Sequence, residues 1–119
     1  MINQKPTVFS KLNELVTEKK VDQVCDEGSQ DWSKATCVTY LELDNSEAEN
    51  ADDEEYSSSL AIKADAYAKS SSKLSELSMY VVSKMKELGY RRTLYLDVPD
   101  PESKFRHKTM RFEKEEIIV

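Results

Sequence analysis

The strongest constraint on the fold comes from residues 58–68, SSLAIKADAYA, in which apolar and polar side chains alternate without a break. Successive side chains of a β-strand point to opposite faces, so this period of two predicts a strand with one wet face. Leu60 and Ile62 share the buried face with Ala64, Ala66 and Ala68. Because alanine is small, this face leaves room for a helix to lie close against the sheet.

Two segments have a helical period instead. In residues 72–88 the apolar positions recur at spacings of three and four, which is typical of an amphipathic helix. Ser71 or Ser72 can cap its start, and Gly89 stands where a left-handed C-terminal cap is expected. A shorter helix is predicted over 7–19 from the same kind of stripe.

Three further segments are rich in β-branched and aromatic residues or alternate in polarity. They predict strands over 35–43, 90–98 and 105–114, and the last two form a hairpin across a proline-containing turn at 99–104. Residues 21–25 could also form a short extended segment.

The order of these elements predicts one α+β domain spanning residues 1–119. Its four-stranded, mostly antiparallel sheet carries two helices packed on one face and a long acidic loop. At 119 residues the chain is long enough for one modest core.

The net charge of −6 is concentrated in one stretch. Residues 44–55 carry seven acids and no base; without them the chain has 17 bases and 16 acids. The seven are Asp44, Glu47, Glu49, Asp52, Asp53, Glu54 and Glu55. Like charges repel one another, so the sequence predicts a mobile loop over 44–57. A calcium loop would need fixed ligand alternation and a glycine at its turn, and this stretch has neither.

The sequence contains no pattern that predicts an enzyme. It lacks a nucleophile elbow, a glycine-rich phosphate loop and clustered metal ligands, so no catalytic residue, cofactor or metal is expected. The one histidine, His107, is interpreted as a hydrogen-bonded or surface imidazole. Cys25 and Cys37, twelve residues apart, are expected to be reduced thiols. No apolar run reaches membrane-spanning length and no secretory leader is recognisable, so no membrane partner is expected.

The predicted hairpin at 90–114 is basic and contains aromatic side chains. Basic residues interleaved with aromatic ones can bind single-stranded nucleic acid, and a small nucleic-acid-binding accessory protein is the alternative function. The competing interpretation is cross-strand charge pairing with Asp97, Glu102 and Glu113, combined with a contact between subunits. The bases are Arg91, Arg92, Arg106, Lys108 and Arg111, and the aromatic residues are Tyr90, Tyr95 and Phe105.

The C-terminal part of the chain resembles a family of bacteriophage proteins, the tail terminator or tail-completion (tail-to-head joining) proteins of long-tailed phages. In that family a helix ends in glycine and an aromatic residue, a strand leads to an acidic turn, and a return strand reads roughly Glu-Thr-Gly-aliphatic-aromatic-His-Lys before Arg-Phe. The segments that carry the resemblance are 89–93, Asp97, 102–108 and 111–112. Ser103, Lys104 and Arg106 depart from the family pattern.

The resemblance implies a non-enzymatic virion structural protein, made in the host bacterial cytoplasm, at the head-proximal end of the tail. It implies a ring, hexameric in the virion, that stops polymerisation of the tail tube protein. The ring also offers a surface to the head completion or connector protein, and DNA passes through it without specific binding. The charge pattern and the resemblance together predict thirteen assembly residues: Asp44, Glu47, Glu49, Asp52, Asp53, Glu54, Glu55, Arg91, Arg92, Glu102, Lys104, His107 and Arg111.

Overall fold

The computed structural model describes residues 3–49, 56–99 and 104–118, which form two helices and five strands. The helices are α1 (Lys5–Thr17) and α2 (Ser71–Glu87), and the strands are β1 (Val24–Asp26), β2 (Cys37–Glu49), β3 (Tyr56–Ala68), β4 (Arg91–Val98) and β5 (Arg106–Ile118). They form one sheet in the order β1-β2-β3-β5-β4. The α+β prediction is confirmed. The predicted four strands become five, because the short segment near 21–25 pairs with β2 as a parallel strand.

Both helices cover the same face of the sheet, where the core lies. The prediction that alternate residues of β3 are buried is confirmed, since Leu60 is 3% exposed and Ile62, Ala64, Ala66 and Ala68 are fully buried. The helices pack on this face and against each other. The other buried side chains of this core include Val8, Leu12 and Leu15 of α1, Leu77, Val81 and Met85 of α2, and Met110 and Phe112 of β5.

The ends of α2 follow its local sequence. The N-cap is Ser70, one residue before the predicted serines, and its hydroxyl accepts a hydrogen bond from the Lys73 amide at 3.2 Å. Beyond the helix, Gly89 has φ +89°, the left-handed conformation predicted for it. Helix α1 begins at Lys5, earlier than predicted, because Pro6 is tolerated in its first turn.

The predicted loop over 44–57 is wrong at both of its ends. Residues 44–49 continue β2 and residues 56–57 begin β3, while 50–55 lie outside the described residues. Charge repulsion does not prevent this pairing, because each acid of β2 stands opposite a neutral residue. Asp44 pairs with Ala61, Glu47 with Ser58 and Glu49 with Tyr56.

Strand β5 also extends further than the predicted 105–114. It pairs with the whole length of β3, from Ala68 opposite Arg106 to Tyr56 opposite Ile118. The hydrophobic pattern alone predicts only the part beneath the helices. The outer part is held by backbone pairing with β3, which periodicity does not reveal.

Candidate interaction surface

The face of the sheet opposite the helices is not covered by any helix in the described part of the chain, and we call it the open face. Strand registers place on it alternate residues of β2, β3, β5 and β4. One row across the sheet contains Leu41, Lys63, Arg111 and Leu94, and the next contains Thr39, Asp65, Thr109 and Leu96. Leu94, Leu96 and Val98, in the predicted strand over 90–98, lie together on this open face and not on the core side.

An ionic cluster lies at the centre of the open face. Asp65, expected to face solvent, is fully buried, and its Oδ1 lies 2.7 Å from His107 Nε2. An ionised carboxylate can only accept, so the imidazole Nε2–H is the donor. The Lys63 ammonium lies 3.2 Å from Asp65 Oδ2 and also donates to the Glu27 carboxylate at 2.7 Å. The sequence interpretation of His107 as a hydrogen-bonded imidazole is therefore confirmed.

The Asp65 carboxylate and the Lys63 ammonium keep their charges despite the burial of the cluster. Desolvation alone would raise the pKa of Asp65, but hydrogen bonds from His107 and Thr109 and the charge of Lys63 together hold it below its ordinary value. Desolvation likewise opposes the charged form of Lys63, yet its bond to Glu27 and the charge of Asp65 raise its pKa. The centre of the open face is thus a set of mutually neutralised charges.

Aromatic rings cover one side of the cluster. The Tyr67 ring stacks on the His107 ring with centroids 4.2 Å apart, and the Trp32 ring meets Tyr67 edge-on at 5.0 Å. Trp32, from the connection between β1 and β2, also contacts Phe105 at 5.2 Å and stays half exposed. Burial raises the pKa of Tyr67. No local signal in the sequence predicts that Trp32 packs here, because the contact joins residues far apart in the chain.

Exposed leucines flank the cluster on both sides. Leu41 on β2 is 38% exposed, and Leu94 and Leu96 on β4 are 41% and 42% exposed. Leu43, at a bulge of β2, is 42% exposed. Large apolar side chains gathered on one solvated face are characteristic of a protein contact surface. The open face therefore combines an apolar border with a neutralised charged centre.

At one end of the sheet, the two long strands that flank β3 are both acidic. This acidic end consists of residues 44–49, 56–61 and 113–118. Lys114 is its one base. Its acids are Asp44, Glu47, Glu49, Glu113, Glu115 and Glu116. Nothing in the sequence predicts that Glu113, Glu115 and Glu116 of β5 lie at the same end of the sheet as the acids of β2, because the two strands are brought to this end only by their pairing with β3.

The basic hairpin does not present its aromatic rings for base stacking. Tyr90 is buried, and its hydroxyl donates to Gln4 Oε1 at 2.6 Å. The Tyr95 ring lies under two cations, Arg92 at 4.5 Å and Lys108 at 4.3 Å. The bases also divide between the two faces of the sheet, since Arg106 and Lys108 stand opposite core alanines while Arg111 faces the open side. This arrangement fits cross-strand charge pairing better than a nucleic-acid platform.

The thirteen predicted assembly residues are not all gathered in one place. Asp44, Glu47 and Glu49 belong to the acidic end, while Arg91 and Arg92 are exposed at the start of β4. His107 and Arg111 lie on the open face, and Lys104 is exposed just before β5. Asp52, Asp53, Glu54, Glu55 and Glu102 lie outside the described residues.

Among residues 3–49, 56–99 and 104–118, no group of three or more histidine, cysteine or acidic side chains is placed to hold a metal ion. Neither of the two described helices is long and apolar enough to cross a membrane. The two cysteines are free thiols, with Cys37 buried and Cys25 partly exposed.

Comparison with models of known protein families gives no match, and comparison with curated protein sequences gives no significant one.

Proposed function

We propose that this chain is a non-enzymatic virion assembly protein that forms a ring on the head-proximal end of a phage tail tube and joins tail to head. The observation that carries the proposal is the open face, where exposed leucines border a neutralised ionic cluster. A monomer has no need to keep these side chains together on one solvated surface, whereas a subunit of an assembly does.

The layout of the resembling segment supports the same proposal. Gly89 ends α2 in a left-handed conformation, β4 follows directly, and β5 returns antiparallel to it. This is the order of helix, strand and return strand that the family resemblance implies. His107 and Arg111, which belong to the resembling motif, both lie on the open face.

In the proposed ring, the acidic end of the sheet surrounds the path of the DNA. In a ring, each copy contributes the six acids of this end of β2 and β5 to one annular zone. Such a zone repels the phosphates of passing DNA, because like charges in a narrow passage interact over several ångströms at physiological salt. DNA then moves through the ring without specific binding. The partners are the tail tube protein below and the head completion or connector protein above.

The proposal is tested by deleting the gene from the phage genome that carries it and complementing with variants. Deletion is expected to give separate heads and tails, with tubes of uncontrolled length, in electron micrographs of lysates. Wild-type chain restores joined virions. A variant with Leu94→Glu and Leu96→Glu does not, because two charges interrupt the apolar border of the open face.

Met79→Glu is the matched control. Met79 is 57% exposed but lies on α2, on the opposite side of the molecule, so this variant is expected to restore joining. Normal joined virions after deletion would contradict the proposal. A tight DNA affinity that falls steeply with salt would favour the nucleic-acid-binding alternative instead.

A further inference from the structure

A cavity of about 380 Å³ lies beside the first turn of α2, at the end of the sheet opposite the acidic end. Small-ligand sites in proteins usually have volumes of about 300–1,000 Å³. Three separate parts of the chain wall it: the segment after α1, the residues just before β2 and the start of α2. We call it the lysine cavity, because four of its lining residues are Lys19, Lys20, Lys69 and Lys73.

The four lysines carry positive charge that is not neutralised locally. None of them forms an ion pair with an acid in the part of the chain that the structure describes. The Lys20 ammonium lies 5.0 Å from the centre of the Tyr80 ring. The Lys69 ammonium lies 5.7 Å from the centre of the Phe105 ring. An aromatic face attracts a cation but does not cancel its charge, so these ammonium groups still attract an anion.

The acids nearest to the cavity are engaged by other groups. Asp22 lines the cavity, but its Oδ2 accepts hydrogen bonds from the backbone amides of Ala35 and Thr36, at 3.1 Å each. Glu18, at the end of α1, lies 3.0 Å from the Lys84 ammonium. The lining residues therefore bring four positive charges against one negative charge, and that carboxylate is already held by the backbone.

Neutral hydrogen-bond donors around the cavity also favour an anion. Thr36 is 7% exposed, and its Oγ1 accepts a hydrogen bond from the Asp22 amide at 2.9 Å, which leaves its own hydroxyl hydrogen to donate. The Ser70 hydroxyl is likewise an acceptor, from the Lys73 amide at 3.2 Å. The first amides of a helix have no intrahelical acceptor, and they add positive potential at this point.

Lys19 stands in a backbone conformation that favours glycine. Its φ is +61°, and it is the first residue after the C-cap of α1. Its amide donates to the Val16 carbonyl at 3.0 Å, and the Lys20 amide donates to the Leu15 carbonyl at 2.8 Å. This pair of hydrogen bonds is the one with which helices commonly end at a left-handed glycine. A lysine at this position therefore places a charge beside the cavity at some cost to the fold.

We propose that the lysine cavity binds a compact phosphate group, as found in a phosphate monoester or pyrophosphate. A phosphate monoester carries about 1.5–2 negative charges at neutral pH and three strong acceptor oxygens. Several ammonium groups and hydroxyl donors that come from three directions match this charge and shape better than they match a carboxylate, which has one charge and two oxygens. The cavity is separate from the open face, so the inference does not depend on the proposed function.

The test is calorimetric titration of the full chain with pyrophosphate at low ionic strength. We expect saturable binding that weakens as salt is added. Lys69→Gln combined with Lys73→Gln is expected to weaken it by about tenfold or more, because two charge contacts are lost. The matched control combines Lys86→Gln with Arg91→Gln, which removes the same net charge from exposed residues outside the cavity and is expected to leave the affinity nearly unchanged.

Lys19→Gly separates a binding role from a structural one. Glycine adopts a left-handed backbone without strain, so the melting temperature is expected to stay the same or to rise. The affinity for pyrophosphate is expected to fall several-fold, because the ammonium group is lost. Unchanged affinity in this variant, with circular dichroism showing that it is folded, would remove Lys19 from the site.

Two oligonucleotides distinguish the sources of the phosphate group. They are a short single-stranded oligothymidylate with a 5′-phosphate and the same strand without one. Binding of pyrophosphate but of neither strand would indicate a free phosphate compound as the ligand. Clearly tighter binding of the phosphorylated strand would indicate the end of a nucleic acid strand.

Three results would overturn the inference. The first is the absence of saturable pyrophosphate binding by the folded wild-type chain at millimolar concentration. The second is an equal loss of affinity in the cavity variant and its matched control, which would indicate general attraction by net charge. The third is equal binding of the two strands that is tighter than the binding of pyrophosphate, which would assign the lysines to a nucleic acid backbone and not to a compact phosphate site.

Discussion

Replacing His107 by alanine is expected to lower the free energy of unfolding by about 2–3 kcal/mol. Loss of a hydrogen bond to a charged group typically costs about 1.5–3 kcal/mol, because the charge then has less compensation for its desolvation. Asp65 is fully buried, so the loss lies in the upper part of that range, while the Thr109 hydrogen bond and Lys63 at 3.2 Å keep it from being larger. Urea denaturation followed by circular dichroism measures the difference.

Two control variants separate the contribution of this hydrogen bond from a general disturbance of the fold. His107→Gln keeps an N–H donor near the position of Nε2 and is expected to recover part of the stability. Asp97→Asn removes a carboxylate whose side chain is 75% exposed and lies 3.2 Å from Lys108. An exposed ion pair is worth at most about 1 kcal/mol, so this variant is expected to stay close to wild type.

The dependence on pH gives a second measurement. The pKa of Asp65 is lower in the folded chain than in the unfolded chain, so the ionised carboxylate stabilises the fold. This contribution is fully present above the ordinary aspartate pKa of about 4, and it disappears as the pH falls through the lower pKa of the folded chain. The stability difference between wild type and Asp65→Asn is therefore expected to be largest near neutrality and to shrink in acid. A difference that is constant from pH 7 to the acid limit of folding would refute the argument, as would equal costs for His107→Ala and Asp97→Asn.

Three further outcomes are expected. Leu77→Ala, at a fully buried position of α2, should lower the free energy of unfolding by about 2–5 kcal/mol in a denaturant titration. Ser83→Ala, on the exposed side of the same helix, should change it by almost nothing, and equal losses for the two variants would mean that the buried face of α2 is misassigned. Gly89→Ala should cost about 1 kcal/mol, since φ +89° strains any side chain, and an unchanged melting temperature would contradict this. Burial raises the pKa of the Cys37 thiol to about 12, so a thiol reagent at pH 8 should modify Cys25 first and Cys37 only as fast as the protein unfolds. Peptide mass spectrometry of partially modified protein measures the two rates, and equal rates would refute this prediction.

The parts of the fold that depend on burial were predictable from the sequence. The alternation of 58–68 identified β3 and its buried face, and the spacing of leucines identified α2 and its capping glycine. Both signals arise because these residues face one core whose composition is apolar.

The parts that depend on pairing between distant strands were not predictable in this way. The outer halves of β2 and β5 have no apolar period, and only their partners on β3 hold them in place. Asp65 looked like a wet-face residue because alternation reports only which side a residue faces, and not whether His107 and Lys63 cover that side. The resemblance identified His107 and Arg111, but it contained nothing about Asp65 or Trp32.

The position of β5 inside the sheet has a consequence for how the chain acquires its structure. Strand β5 is the last of the seven elements in the described part of the chain, yet it lies between β3 and β4 and pairs with both. Until it has been synthesised, β3 has a partner on one side only and β4 has none. The central pairings join residues as far apart in sequence as Tyr56 and Ile118, so they form after the local elements and make folding slow for a domain of this size. During that interval the edge of β3 is exposed and can pair with other chains until β5 occupies it.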